Sequence, residues 1–274
     1  EMQIAAFSDD CRDGVKGHVF YEKDPGFVNG KSDSEENIKF LTVASTPLKE
    51  VDVKKAIYSN EFWANEPYQT VTYASAHDNY TLWDKLHLVN NDADEKELAI
   101  MNKLIAAIIL TSQGIVFMQS GEEFARSKVD ESGRIIENSY CSSDFVNSID
   151  WTRKEKYKEL MDYYKGLISL RKRYKAFRMN TNKEIRENIS FLNKGKNFNE
   201  NNVVAYIIDS RNIDKKCNKV AVIFNANNTD VAIKLPEKNW NLVVNENTAG
   251  INTIEKIKED IILVPRKSAY VLIK

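Results

Sequence analysis

A chain of 274 residues, 42% of them hydrophobic, has material for one large domain or two ordinary ones and for a packed core. Its 39 basic residues against 40 acidic ones exclude a surface that draws nucleic acid or anionic membrane by bulk charge, so neither partner is expected. Cys11, Cys141 and Cys217 are widely spaced, form no C-x-x-C pair and suggest no disulfide scaffold, and the longest apolar stretch, 104–110, is too short to span a bilayer. The opening Glu1-Met2-Gln3 carries no signal peptide and reads as the interior of a polypeptide, so localisation, cytoplasmic or secreted, would depend on what precedes it.

In chain order, residues 3–7, 70–74 and 114–119 are short apolar runs separated by longer helical patterns, which is the signature of βα units. Between the second and third runs, 94–112 carries Leu98, Met101, Ile105, Ile108 and Ile109 at helical spacing behind an acidic first turn, which predicts a crossover helix. A second long helix is predicted over 155–177, where Leu160, Tyr163, Leu167, Leu170, Tyr174 and Phe177 form an apolar stripe. After Arg178 the pattern turns to alternation. The segments 185–192, 203–208, 219–225, 231–235, 242–244, 261–264 and 269–273 read as short strands of an all-β unit, a sandwich, with the Asn-rich 193–202 as a long hairpin loop. Three parallel βα units cannot close a barrel, which needs eight strands and typically ~250 residues, so the first part is a small open α/β layer or a piece of something larger.

The densest polar cluster, His77-Asp78-Asn79-Tyr80-Thr81-Leu82-Trp83-Asp84, directly follows the run 70–74. Side chains at the C-terminal end of a parallel strand face the ligand crevice of α/β folds, which favours a site; a buried His–Asp hydrogen bond ahead of an aromatic packing loop is the bland alternative. Arg12 with Asp13, after the first run, reads as an ordinary surface ion pair. Glu122 and Glu123, after the third, point oppositely on extended backbone, so at most one faces the crevice and the other is structural. His18, His77 and His87 lack zinc spacing, and 90–95 reads as an acidic helix cap in preference to a calcium loop. No metal and no cofactor is called for, and no Gly-rich phosphate loop or G-x-S-x-G elbow is present. The aromatics Tyr80, Trp83, Tyr140 and Trp151 could stack on sugar rings, but ordinary core packing is the simpler reading.

At these strand ends the sequence resembles type I pullulanases, debranching members of the α-amylase superfamily, glycoside hydrolase family 13. The resemblance rests on Phe7-x-Asp9-Asp10-x-Arg12-Asp13-Gly14-x-Lys16-Gly17, Gly26-Phe27-Val28-Asn29-Gly30, His77 through Leu86, and Gly121-Glu122-Glu123-Phe124-x-Arg126-Ser127-Lys128. It continues through Asn138-Ser139-Tyr140 to Ile149-Asp150-Trp151, and Leu170-Arg171-Lys172 to Ala176-Phe177-Arg178. The six stretches keep the family's order. The resemblance implies the last three βα units of a (β/α)8 barrel over 1–182, then a C-terminal antiparallel β-sandwich over 183–274. It implies an α-glucan substrate, with Asp78 as transition-state stabiliser and His77, Asn79, Tyr80 and Tyr140 as substrate contacts. Cys141 and Ser143 depart from the family's usual residues in the loop after Tyr140. Retaining hydrolysis needs a nucleophilic carboxylate and a general acid, and the family supplies both from strands that would precede residue 1. The chain alone is therefore expected to be inactive, and its exposed barrel edges to favour self-association.

Overall fold

The computed structural model describes residues 3–192 and 201–274. Of the predicted hairpin loop 193–202, only Asn201 and Asn202 fall within them. The first part runs β1 (Ala6–Phe7), α1 (Asp9–Lys16), α2 (Glu35–Thr42), β2 (Thr70–Thr72), α3 (Leu82–Val89), α4 (Glu95–Thr111), β3 (Ile115–Val116), α5 (Asp144–Asn147), α6 (Arg153–Lys156), α7 (Lys158–Arg173) and α8 (Asn182–Asn188). The rest is β4 (Ile189–Phe191), β5 (Val203–Asp209), β6 (Lys219–Asn225), β7 (Val231–Lys234), β8 (Trp240–Val244), β9 (Glu255–Ile257), β10 (Ile261–Val264) and β11 (Ser268–Ile273).

The three apolar runs form one parallel sheet in the order β1-β2-β3, with Ala6 opposite Thr70 and Val71 opposite Ile115. The paired segments are shorter than the runs. On one face Phe7, Tyr73 and Phe117 meet edge-to-face, with ring centroids 4.9 and 5.3 Å from Phe7, yet Phe7 is 51% and Phe117 36% exposed. Parallel sheets are normally covered on both faces, so this apolar face is open in the described residues.

The helices start where local chemistry supplies their free amides. Ser8 caps α1 by accepting from the Cys11 amide at 3.2 Å, Thr81 caps α3 by accepting from the Asp84 amide at 3.1 Å, and Asp94 caps α4 through the Glu97 amide at 2.8 Å. At the far end of α4, Arg171 from α7 donates to the carbonyls of Leu110, Ser112 and Gly114 at 3.1, 2.6 and 2.8 Å, which ties the two long helices together where carbonyls lack helical partners. The predicted helix 155–177 is interrupted at Tyr157, with α6 before it and α7 after it.

In the second part, β4-β5-β6-β11-β8-β9 form a six-stranded antiparallel sheet, and β7 pairs with β10 in a separate ribbon. Alternation along β5 sorts two cores. Val204, Tyr206 and Ile208 pack with the helices, while Val203, Ala205 and Ile207 pack with Ile233, Leu235, Ile262 and Val264 of the ribbon side. The predicted strand 185–192 is half wrong: 182–188 is helical because Thr181 and Glu184 form a reciprocal capping box, and only Ile189–Phe191 is strand. The short strand β9 had no alternating apolar signal because two of its three residues are exposed and charged.

Candidate functional site

The strand β2 carries the chain to Tyr73, Ala74 and Ser75, all buried, and then delivers His77 and Asp78 to solvent, with side chains 88% and 67% exposed. His77 Nε2 stands 3.3 Å from Asp78 Oδ1. Asn79 follows at φ +60°, a left-handed conformation that asparagine tolerates better than most residues. That turn directs the chain into the Thr81 cap, so α3 begins four residues after Asp78 and the pair sits on a short, anchored tip.

Two groups outside the sequence-predicted set hold that tip. Asp84, buried on α3, accepts from Thr81 Oγ1 at 2.8 Å, from the Lys128 amide at 2.8 Å and from Ser127 Oγ. Burial pushes its carboxyl above the usual carboxylate range, and the hydrogen bonds from Ser127, Lys128 and Thr81 oppose that shift. The buried Lys128 ammonium donates to the His77 carbonyl at 2.9 Å and to Ser139 Oγ at 2.7 Å. Burial lowers its pKa, the Arg126 charge adds to this, and the nearby Asp84 and Asp78 carboxylates oppose it. Ser139 Oγ in turn donates to Asn147 Oδ1 at 2.7 Å, and Asn147 Nδ2 bonds the Ser139 and Ser142 carbonyls. One lysine thus joins the backbone of His77 to the loop that carries Tyr140.

Tyr140 is 81% exposed and Tyr80 half-buried. Tyr80's hydroxyl is raised above its ordinary pKa by burial and by the charges of Glu137, Glu22 and Asp84. Trp83 is core, edge-on to Tyr157 at 5.0 Å, whereas Trp151 is 62% exposed. Cys141 is exposed and Ser143 precedes α5 as its N-cap residue.

The Arg12–Asp13 pair is not the surface pair that the sequence suggested. Arg12 grips buried Asp13 with Nε at 2.6 Å and Nη2 at 3.1 Å, and its Nη1 lies 3.3 Å from the Tyr73 hydroxyl and 3.0 Å from Asp9. Tyr58 donates to the same Asp13 carboxylate at 2.5 Å, so the ends of β1 and β2 are bound into one network. Isolated sequence neighbours could not reveal this, because the partners Tyr58 and Tyr73 are 45 and 61 or more residues away.

Of the two adjacent glutamates, Glu122 is the inward one. It accepts from Ser75 Oγ at 2.5 Å and lies 3.2 Å from the Tyr164 hydroxyl, while Glu123 folds back to accept from the Gly121 amide at 3.0 Å. Burial pushes the Glu122 carboxyl up to about 7, against the opposing Ser75 hydrogen bond and Lys16 charge. The Glu122 carboxyl is therefore buried between Ser75 and Tyr164, whereas the His77 and Asp78 side chains are exposed. No cluster of His, Cys, Asp and Glu among the described residues could hold a metal ion, and no helix there is long and apolar enough to cross a membrane. A cavity of about 1040 Å³ opens elsewhere, lined by Ala99, Ile100, Lys103, Tyr157, Leu160 and Arg266 among others, and includes none of the predicted site residues.

Residues 143–274 match the family described as alpha-1,6-glucosidases, pullulanase-type, C-terminal. The chain is 33% identical to a pullulanase of Bacillus subtilis over 85% of its own length and 30% of that relative's. Among solved structures, pullulanase from Bacillus acidopullulyticus superposes with a TM-score of 0.85 at 32% identity, over 99% of this chain and 30% of that one. The type I pullulanase of Bacillus subtilis, complexed with maltose, gives 0.85 at 30% identity over 98% and 35%. The chain therefore spans about a third of the length of these relatives, and it belongs to the pullulanase family, whose C-terminal region it carries.

Proposed function

We propose that this chain is the C-terminal part of a debranching enzyme that hydrolyses α-1,6-glucosidic links in pullulan, starch or glycogen-type glucans with retention. In this reading 1–182 contributes the last three βα units of a (β/α)8 barrel and 183–274 a supporting β-sandwich. The observation that carries it is the position of His77 and Asp78: both leave the C-terminal end of the middle strand of a parallel sheet, exposed together on a braced turn. Asp78 is the transition-state stabiliser. His77, Asn79, Tyr80 and Tyr140 contact the sugar.

A carboxylate that grips sugar hydroxyls strengthens as the oxocarbenium-like transition state forms, because a fixed negative charge then faces a developing positive one. It replaces neither the nucleophile nor the general acid. The purified chain is therefore expected to release no reducing ends from pullulan above background. A longer polypeptide supplying the remaining strands is expected to release them, with Asp78→Ala lowering the rate about a hundredfold or more. Hydrolysis by the chain alone that Asp78→Ala abolishes would overturn the assignment of nucleophile and acid to other strands; full activity of the Asp78→Ala long form would overturn the site.

The open apolar face formed by Phe7, Tyr73 and Phe117 supports the barrel reading, since remaining strands would cover it, and it makes self-association of the chain an expected consequence when they are absent. The second reading, a non-catalytic glucan-binding module, draws on exposed Tyr140 and Trp151, and loses Trp83 to the core.

A further inference from the structure

Residues 18–24 follow α1 and present aromatic rings to solvent: Phe20 is 68% exposed and Tyr21 65%. Such rings usually turn inward or lie on a mobile tip, but this loop is braced along its length. The His18 amide donates to Asp24 Oδ2 at 3.1 Å, the Phe20 amide to His18 Nδ1 at 3.1 Å, and the Asp24 amide to the Tyr21 carbonyl at 3.1 Å. Lys85, buried on α3, reaches across to the carbonyls of Tyr21 and Glu22 at 2.5 and 3.0 Å. The His18 ring lies 4.4 Å from Tyr21, 5.6 Å from Phe20 and 6.1 Å from Tyr58, itself 49% exposed and tied to Asp13.

These rings are held out by hydrogen bonds that would be lost if the loop collapsed, so their exposure is built in. The patch also adjoins the candidate site. Lys85 lies on α3, which begins four residues after Asp78, and the charge of Glu22 reaches Tyr80. Flat apolar rings edged by Glu22, Asp24 and the Tyr21 and Tyr58 hydroxyls match a pyranose ring, which offers an apolar C–H face and a rim of hydroxyls. They match an apolar protein surface less well, because the rim would be left to bury its polar groups unpaired.

We propose that the 18–24 loop, with Tyr58 beside it, is an additional α-glucan platform on which Phe20 and Tyr21 stack against successive or neighbouring glucose units. It rests on the reading of His77 and Asp78 as a glucan site and extends that site along the chain or branch of the substrate. The platform belongs wholly to the described residues, so it holds glucan without the hydrolytic carboxylates.

The test is electrophoretic retardation of the 274-residue chain in gels containing pullulan, alongside calorimetric titration with maltohexaose. The wild-type chain is expected to be retarded. Phe20→Ala/Tyr21→Ala is expected to raise the dissociation constant about tenfold, and Phe20→Trp/Tyr21→Trp to restore it. Because both rings are exposed, circular dichroism and melting temperature should not change, which separates lost stacking from lost folding. Binding that Asp78→Ala weakens but the double alanine variant leaves untouched overturns the platform and leaves the site reading standing. Binding lost in the double variant and unchanged in Asp78→Ala supports the platform and counts against the site. A wild-type chain that binds neither glucan overturns the platform, as does a double variant whose only change is loss of self-association in light scattering.

Discussion

Replacing Glu122 by Gln should change how stability depends on pH in a direction fixed by the structure. The carboxyl is buried between Ser75 and Tyr164, and the Tyr164 hydroxyl also lies 2.7 Å from Asn102 Oδ1. One phenolic proton cannot serve both acceptors, so with the proton on the shorter Asn102 contact the 3.2 Å approach to Glu122 is satisfied when the carboxyl itself supplies a proton. That agrees with a carboxyl pushed up to about 7 by burial, from 4.5 when free. Between those values the folded chain binds a proton that the unfolded chain has released, so stability falls as pH rises through this window and levels off above about 7. A shift of 2.5 units, from 4.5 to about 7, corresponds to about 3 kcal/mol. Lys16, whose own pKa burial lowers to about 8, remains charged throughout and does not reverse the sign. Urea unfolding followed by circular dichroism at intervals from pH 4.5 to 7.5 reads the effect as a difference between the two proteins, in which titrating groups that do not interact with Glu122 cancel. Glu122→Gln should gain about 3 kcal/mol relative to the parent chain across that range. A difference that stays constant with pH would show that Glu122 ionises in the folded state as it does in the unfolded one, and the argument from burial would fail.

Lys128→Met should cost about 2 kcal/mol and accelerate amide exchange around His77 and in 139–147 together, since one ammonium holds both segments; exchange that changes in neither would refute the link. Gly166→Ala tests the contact between α7 and the β part. A Cβ there would sit 1.9 Å from the Ala249 carbonyl oxygen, so overpacking of about 1–3 kcal/mol should outweigh the gain of up to about 1 kcal/mol from alanine's helix propensity. A melting temperature equal to or above that of the parent chain would contradict this.

Much of the architecture was legible because burial imposes period. The apolar stripe of 94–112 returned as α4 and the alternation of Val203–Asp209 as β5, since each burial pattern repeats along consecutive residues. The His77–Asp78 pair was legible from its place after an apolar run, and the family from six motifs in order. The failures are local too: in 185–192 the alternation outweighed a capping box at Thr181 and Glu184 that was present in the sequence. Asp84 also carried a signal, three residues after its cap partner Thr81.

What the sequence determined by itself, then, was the helical period of 94–112, the alternation along Val203–Asp209, the order of the three apolar runs and the chemical identity of the exposed pair. The tertiary structure alone decided which groups share a space. Lys128 meets His77 across 51 residues, Glu122 meets Ser75 across 47 and Tyr58 meets Asp13 across 45, and no local pattern encodes such distances. Burial in turn set the protonation of Glu122 and turned Arg12 and Asp13 from a surface pair into the join between two strands. It is also the fold that leaves Phe20 and Tyr21 outside: an aromatic residue in a sequence reads as core until hydrogen bonds, here from Lys85 to the Tyr21 carbonyl and from the His18 amide to Asp24, are seen holding it in water.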